Sequence, residues 1–131
     1  MILKFRAWDK NTNDMVDVKT IDLEKDGSIG CIVDYNGINL DMTECIIMQS
    51  TGIKDKNGVE IFEGDIVSVR NHPFQKTESS VGIEIDGDYK VSWNEYDLTW
   101  CAGNLLLVRI KPYVTVIGNI HENPELLEGA N

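Results

Sequence analysis

Basic charge is scarce in this 131-residue chain: 12 Lys and Arg stand against 22 Asp and Glu, a formal charge of −10. Residues 1–60 carry 7 basic and 11 acidic side chains and residues 61–131 carry 5 and 11, so neither half is basic. Non-specific duplex binding needs clustered Lys and Arg that release counterions from phosphate. No such cluster stands in the sequence, which disfavours nucleic acid as a partner. The acid-rich stretch Glu84, Asp86, Asp88, Glu95 and Asp97 is interrupted by Lys90 and reads as a solvated face rather than a phosphate mimic. Cysteine is also sparse. Cys31, Cys45 and Cys101 form no CxxC pair and no disulfide framework, so each reads as a small buried apolar residue. A nucleophilic cysteine would need His72 or His121 as its base, the chain's two histidines.

Neither histidine has a second His or a Cys at ligand spacing, so no metal is expected. Asp55, Asn57 and Glu60 lack the spacing of a calcium loop. Neither GxxxxGK[ST] nor GxGxxG occurs, and no cofactor is expected. No window approaches the twenty apolar residues of a membrane span, and Lys4 and Arg6 interrupt the start too soon for a signal peptide. The expectation is a cytoplasmic protein with no membrane partner. Helical periodicity is nearly absent as well.

What the chain does have is short apolar or alternating runs between turn signals, the pattern of antiparallel sheets. Leu3, Phe5 and Ala7 alternate with Lys4 and Arg6, and a polar loop at 9–14 leads to a second run from Met15. Asp26-Gly27, Asn36-Gly37 and Asn57-Gly58 are tight-turn dipeptides, because these residues tolerate positive φ. The run 45–49 is continuously apolar and suits a strand covered on both faces. Gly64-Asp65 precedes another strand at 66–70, and the polar segment 71–80 reads as an exposed loop. Strands at 81–85, 89–93, 98–101, 105–110 and 113–118 complete the pattern. Asn123, Pro124 and Glu125 then supply an N-cap, a first-turn proline and an N-terminal acid for a short helix. The fold class expected is mainly β: a small antiparallel β-barrel of SH3-like type, with hairpin extensions and a short C-terminal helix. It is read as one domain over 1–131, with a hairpin region at about 1–45, a barrel core at about 46–120 and a helical turn at about 123–128.

Candidates for chemistry are few. Glu63 and Asp65 would share a strand face as an acid/base pair, although Gly64 between them implies a bend and a capping role. His121 and Glu122 follow a strand and precede the helix, where Glu122 suits the helix N-terminus and His121 suits packing or capping. Trp8, Trp93, Trp100, Tyr89, Tyr96 and Tyr113 read mostly as core or sheet-edge shields. Tyr89, Val91 and Trp93 share one strand face, a core or a protein interface.

Three separated motifs carry a family resemblance. They are 4–9 (KFRAWD), 48–58 (MQSTGIKDKNG) with 61–67 (IFEGDIV), and 116–127 (VIGNIHENPELL). Together they resemble the YopX family of phage and prophage proteins. The resemblance implies a mostly β protein from a phage or prophage of a bacterial host that self-associates, and it carries no catalytic residues. Trp8, Gly52, Asp55, Gly58, Gly64, Asp65, Gly118, Asn119, Asn123 and Pro124 are the shared positions, and as turns, strand residues and a cap they read as determinants of the fold. The leading expectation is a non-catalytic protein-interaction module that forms a homo-oligomer or binds a host or phage protein. The alternatives are a nucleic-acid-associated β-barrel and an enzyme built on Glu63, Asp65, His121 and Glu122.

Overall fold

The computed structural model describes residues 3–73 and 85–128, which fall into two compact units, Met1–Ser50 and Thr51–Asn131. The strands form two antiparallel sheets. In the first unit the order is β4 (Asn39–Asp41), β3 (Ile29–Asp34), β2 (Asp14–Leu23), β1 (Phe5–Asp9) and β5 (Cys45–Lys54). Its core consists of Ala7, Ile32, Leu40 and Cys45, with Val16, Val18 and Ile47 packed against them. The end of β5 lies in the second unit, where it pairs with β6 (Glu60–Phe62). A five-stranded sheet follows, ordered β10 (Leu105–Leu106), β9 (Thr99–Ala102), β8 (Gly87–Asn94), β7 (Asp65–Val69) and β11 (Val114–Asn119). Its core is Ile61, Val67, Val69, Val91, Ala102, Leu107, Ile110 and Val114. Among the described residues, no pairing between β10 and β11 closes this sheet into the expected barrel.

Three hairpins share one five-residue frame. Glu24, Asp34 and Asp55 each donate a backbone N–H to the carbonyl four residues on, at 2.7, 3.0 and 2.8 Å. The carbonyls of Glu24, Asp34 and Asp55 in turn accept from the Gly27, Gly37 and Gly58 amides, and these glycines have φ of 88, 83 and 83°. This left-handed position after a tight turn is where glycine avoids the Cβ penalty. In the two hairpins that begin with Asp, the carboxylate fixes the turn. Asp34 Oδ1 accepts from Asn36 and Ile38 amides, and Asp55 Oδ1 accepts from Asn57 and Val59 amides.

The structure corrects three local expectations. The run 45–49 is not covered on both faces throughout: Met48 is buried, but Ile46 on the same strand face is 39% exposed. Ile46 lies opposite Trp8 on β1, so the two apolar side chains shield one another as a cross-strand pair. The run 105–110 is a strand only at Leu105–Leu106. It then forms α1 (Leu107–Ile110) and a 3-10 turn at Lys111–Tyr113. Leu107 and Ile110, three apart, face the core from one side of that turn while Val108 is exposed, and helical spacing overrides strand alternation. The C-terminal helix is α2 (Glu125–Glu128). Asn123 does not cap it through its side chain: Asn123 Oδ1 accepts from the Asn119 amide at 3.3 Å instead. The expected strand at 81–85 and the loop at 71–80 lie largely outside the described residues. At the described edges of that loop, Asp86 accepts from the Asn71 and His72 amides, Asp88 pairs with Arg70 at 3.0 Å, and His72 meets Tyr113 edge-on. Two carboxylates of the acid-rich stretch are thus engaged in local structure.

Candidate functional site

The Gly-Asp turn and the end of the last strand meet in the second unit. Asn119 stands opposite Asp65 in the β7–β11 ladder, and the Ile120 amide donates to Gly64 O at 2.9 Å. Glu63, Asp65, His121 and Glu122, far apart in sequence, therefore gather at one end of this strand pair. Among them the Asp65 carboxylate is engaged in local structure. Asp65 is 1% exposed, and its Oδ2 accepts from the Phe62 amide at 2.8 Å. Gly64, at φ 85°, makes the bend that keeps Glu63 off the β7 strand face occupied by Asp65. Asn119 is buried and its Oδ1 accepts from the His121 and Glu122 amides at 3.0 and 2.9 Å, which fixes the turn those residues occupy. Glu122 is exposed and Glu63 and His121 are half-buried. Gly118 is required by close approach: a Cβ there would lie 2.5 Å from Asn123 Oδ1 and 2.8 Å from Asn123 Cγ. This end of the sheet is a network of capped turns.

Asp55 does the same work over a longer reach. Besides the hairpin amides, its Oδ2 accepts from the Val116 amide at 2.9 Å, tying the β5–β6 hairpin to β11. Lys56 N–H donates to Val114 O at 3.0 Å alongside it. Burial pushes this carboxyl up, but the amides of Val116, Val59 and Asn57 and the charge of Lys56 outweigh it, holding its pKa below the ordinary carboxylate value. It is a structural anion with its lone pairs committed to backbone.

Cys31 and Cys45 carry no activated thiol. The Cys31 thiol donates to Asp22 Oδ2 at 3.3 Å, and that bond, with burial and the Asp22 charge, pushes its pKa above 9.0. Burial and the charges of Asp9, Asp41 and Glu44 push Cys45 up likewise. Among the described residues, no group of three or more His, Cys, Asp and Glu is placed to hold a metal, and no helix is long and apolar enough to cross a membrane.

The aromatic residues divide differently from the sequence expectation. Val91 is fully buried and Tyr89 packs against the core, but Trp93 on the same strand is 43% exposed. Trp93 lies opposite Trp100 on β9 and the rings meet edge-on, with centroids 5.2 Å apart. Beyond them the hairpin tip presents Tyr96, 98% exposed, and Leu98, 72% exposed at φ 52°. Tyr96 neither fills the core nor shields an edge. The turn residues Asn94 and Asp97 around it were the available sequence signal, since a turn tip projects its middle residues into water. Asn94 Oδ1 accepts from the Tyr96 and Asp97 amides, fixing that tip.

A crystal structure of protein EF1440 from Enterococcus faecalis is similar to this chain at 34% identity and a TM-score of 0.70, covering 97% of this chain and 99% of that one. No curated protein matches the chain. The family model described as YopX protein matches residues 4–128, across both compact units, and the chain belongs to the YopX family.

Proposed function

We propose that the chain is a non-catalytic protein-interaction module that self-associates through the tip of the β8–β9 hairpin. One observation carries this reading: Trp93, Tyr96 and Leu98 hold large apolar surface in water on a hairpin whose turn is fixed by Asn94. Leu98 keeps a left-handed backbone that is costly for a branched side chain, and such strain persists where the surroundings over-determine it. Exposed apolar residues gathered at one place mark association surfaces more often than scattered single ones do. Of the carboxylates in the alternative enzyme reading, the buried Asp65 is instead committed to a backbone amide. The same reading makes the protein a phage- or prophage-encoded accessory factor acting in the cytoplasm of a bacterial host, with a second copy as partner.

The test is light scattering across a concentration series for the wild type and for Tyr96→Ser with Leu98→Asn. The expected result is an oligomer in the wild type and a shift toward monomer in the double variant, with far-UV circular dichroism unchanged. A wild type that stays monomeric at the highest concentration, or an oligomer indifferent to both substitutions, overturns the assignment.

A further inference from the structure

The fold assembles a basic groove that the linear sequence conceals. Lys54 and Lys56, at the end of β5 and in its hairpin, and Lys111, in the 3-10 turn before β11, line a single open groove of about 480 Å3 with Ile53 and Pro112. All three lysines are exposed, and none forms a salt bridge among the described residues. The groove's carboxylate is Asp55, and its oxygens already accept three backbone amides. Two links bind the walls together: Lys56 N–H to Val114 O, and the Val116 amide to Asp55 Oδ2. The frame is therefore set before anything binds, which lowers the ordering cost of binding. The groove lined by Lys4 and Lys19 in the first unit differs, since Asp17 stands among its lysines.

We propose that the Lys54, Lys56 and Lys111 groove is a binding site for a small, multiply charged oxyanion, a di- or triphosphate or a polycarboxylate. Three ammonium groups against one carboxylate leave an excess of positive charge in a chain of net charge −10. Ammonium groups act as point charges toward phosphate and carboxylate oxygens, and no fixed fork geometry is demanded of the ligand. A groove of this volume is in the range of small-ligand sites, and the apolar Ile53 and Pro112 offer contact to the uncharged part of such a molecule. The site is independent of the hairpin surface above.

The experiment is isothermal titration of the full chain with sodium pyrophosphate and, separately, with citrate and a short single-stranded oligonucleotide, at low salt. Two triple variants carry the same charge change: Lys54→Gln, Lys56→Gln and Lys111→Gln in the groove, and Lys10→Gln, Lys25→Gln and Lys90→Gln elsewhere. The expected result is saturable binding of pyrophosphate with one site per chain. Each exposed ammonium contributes about two- to fivefold, so the groove triple weakens binding about tenfold or more while the control triple changes it less than about twofold. Citrate binding as pyrophosphate does assigns the groove to oxyanions in general, and citrate failing to bind narrows it to phosphates. Absence of saturable pyrophosphate binding, equal losses in the two triples, or binding of the oligonucleotide alone overturns the proposal, the last in favour of a nucleic-acid surface.

Discussion

Replacing Asp55 by Asn isolates the bond that crosses from the hairpin to β11. An Asn amide has one carbonyl oxygen and one NH2. With its oxygen toward the hairpin it keeps the Asn57 and Val59 amides, but its NH2 then meets the Val116 N–H, a donor facing a donor. The loss is one hydrogen bond to a charged acceptor plus a half-buried amide left unsatisfied, about 2–4 kcal/mol. Asp34→Asn is the matched control. Asp34 Oδ1 serves the same two hairpin amides, and an Asn oxygen serves them equally well, so its cost is expected below about 1 kcal/mol. In urea, with a slope of about 1–3 kcal/mol per molar, the Asp55 variant should lose about 1 M of midpoint more than the Asp34 variant. Tryptophan fluorescence follows both, because Trp8 reports on the first unit and Trp93 and Trp100 on the second. Acidification supplies a second reading. The folded pKa of Asp55 lies below its unfolded value near 3.8, so its contribution is present above that value and lost as pH falls through the folded pKa. The gap between wild type and Asp55→Asn should therefore narrow below about pH 4. Equal midpoint losses for the two variants would refute the reasoning.

Gly118→Ala should cost about 1–3 kcal/mol, because the new methyl displaces the Asn123 side chain from the Asn119 amide. Adding Asn123→Gly should recover part of that loss in thermal melts, and no recovery would mean the clash lies elsewhere. Gly64→Val should destabilise by about 1 kcal/mol or more, since φ of 85° is strained for a β-branched residue; an unchanged melting temperature would remove the role given to that bend. Iodoacetamide at pH 8 should label Cys45 far more slowly than a free thiol, because the thiol is buried and its pKa is raised, and mass spectrometry of timed samples would detect the opposite.

Tight-turn dipeptides were legible because their chemistry is local. Asp26-Gly27, Asn36-Gly37 and Asn57-Gly58 demand positive φ at glycine, and the structure supplies it at all three. The β class followed from the same punctuation. The reading of 105–110 as strand failed where Leu107 and Ile110 repeat at three while Leu105 and Leu107 repeat at two, so the run satisfies both periods and tertiary burial decides. The gathering of Glu63 and Asp65 with His121 and Glu122 was a conjecture that only the β7–β11 register makes concrete. The lysine groove was invisible for the same reason. Lys111 is held near Lys54 and Lys56 by the Lys56–Val114 and Val116–Asp55 hydrogen bonds, which join distant parts of the chain, and no short window of sequence contains all three lysines.

The two oxygens of Asp55 also belong to different moments in the life of the chain. Oδ1 closes on amides two and four residues away, whereas Oδ2 waits for an amide 61 residues on. A hairpin forms in about 1–10 μs, while the long loop must first meet its closure entropy. The carboxylate thus serves first as a turn former and later as a latch that engages when β11 arrives. Asp55→Asn, which spares the turn, should chiefly quicken unfolding, and Gly58→Ala, which strains it, should chiefly slow folding. One side chain would then time-stamp both the start and the completion of assembly in the second unit.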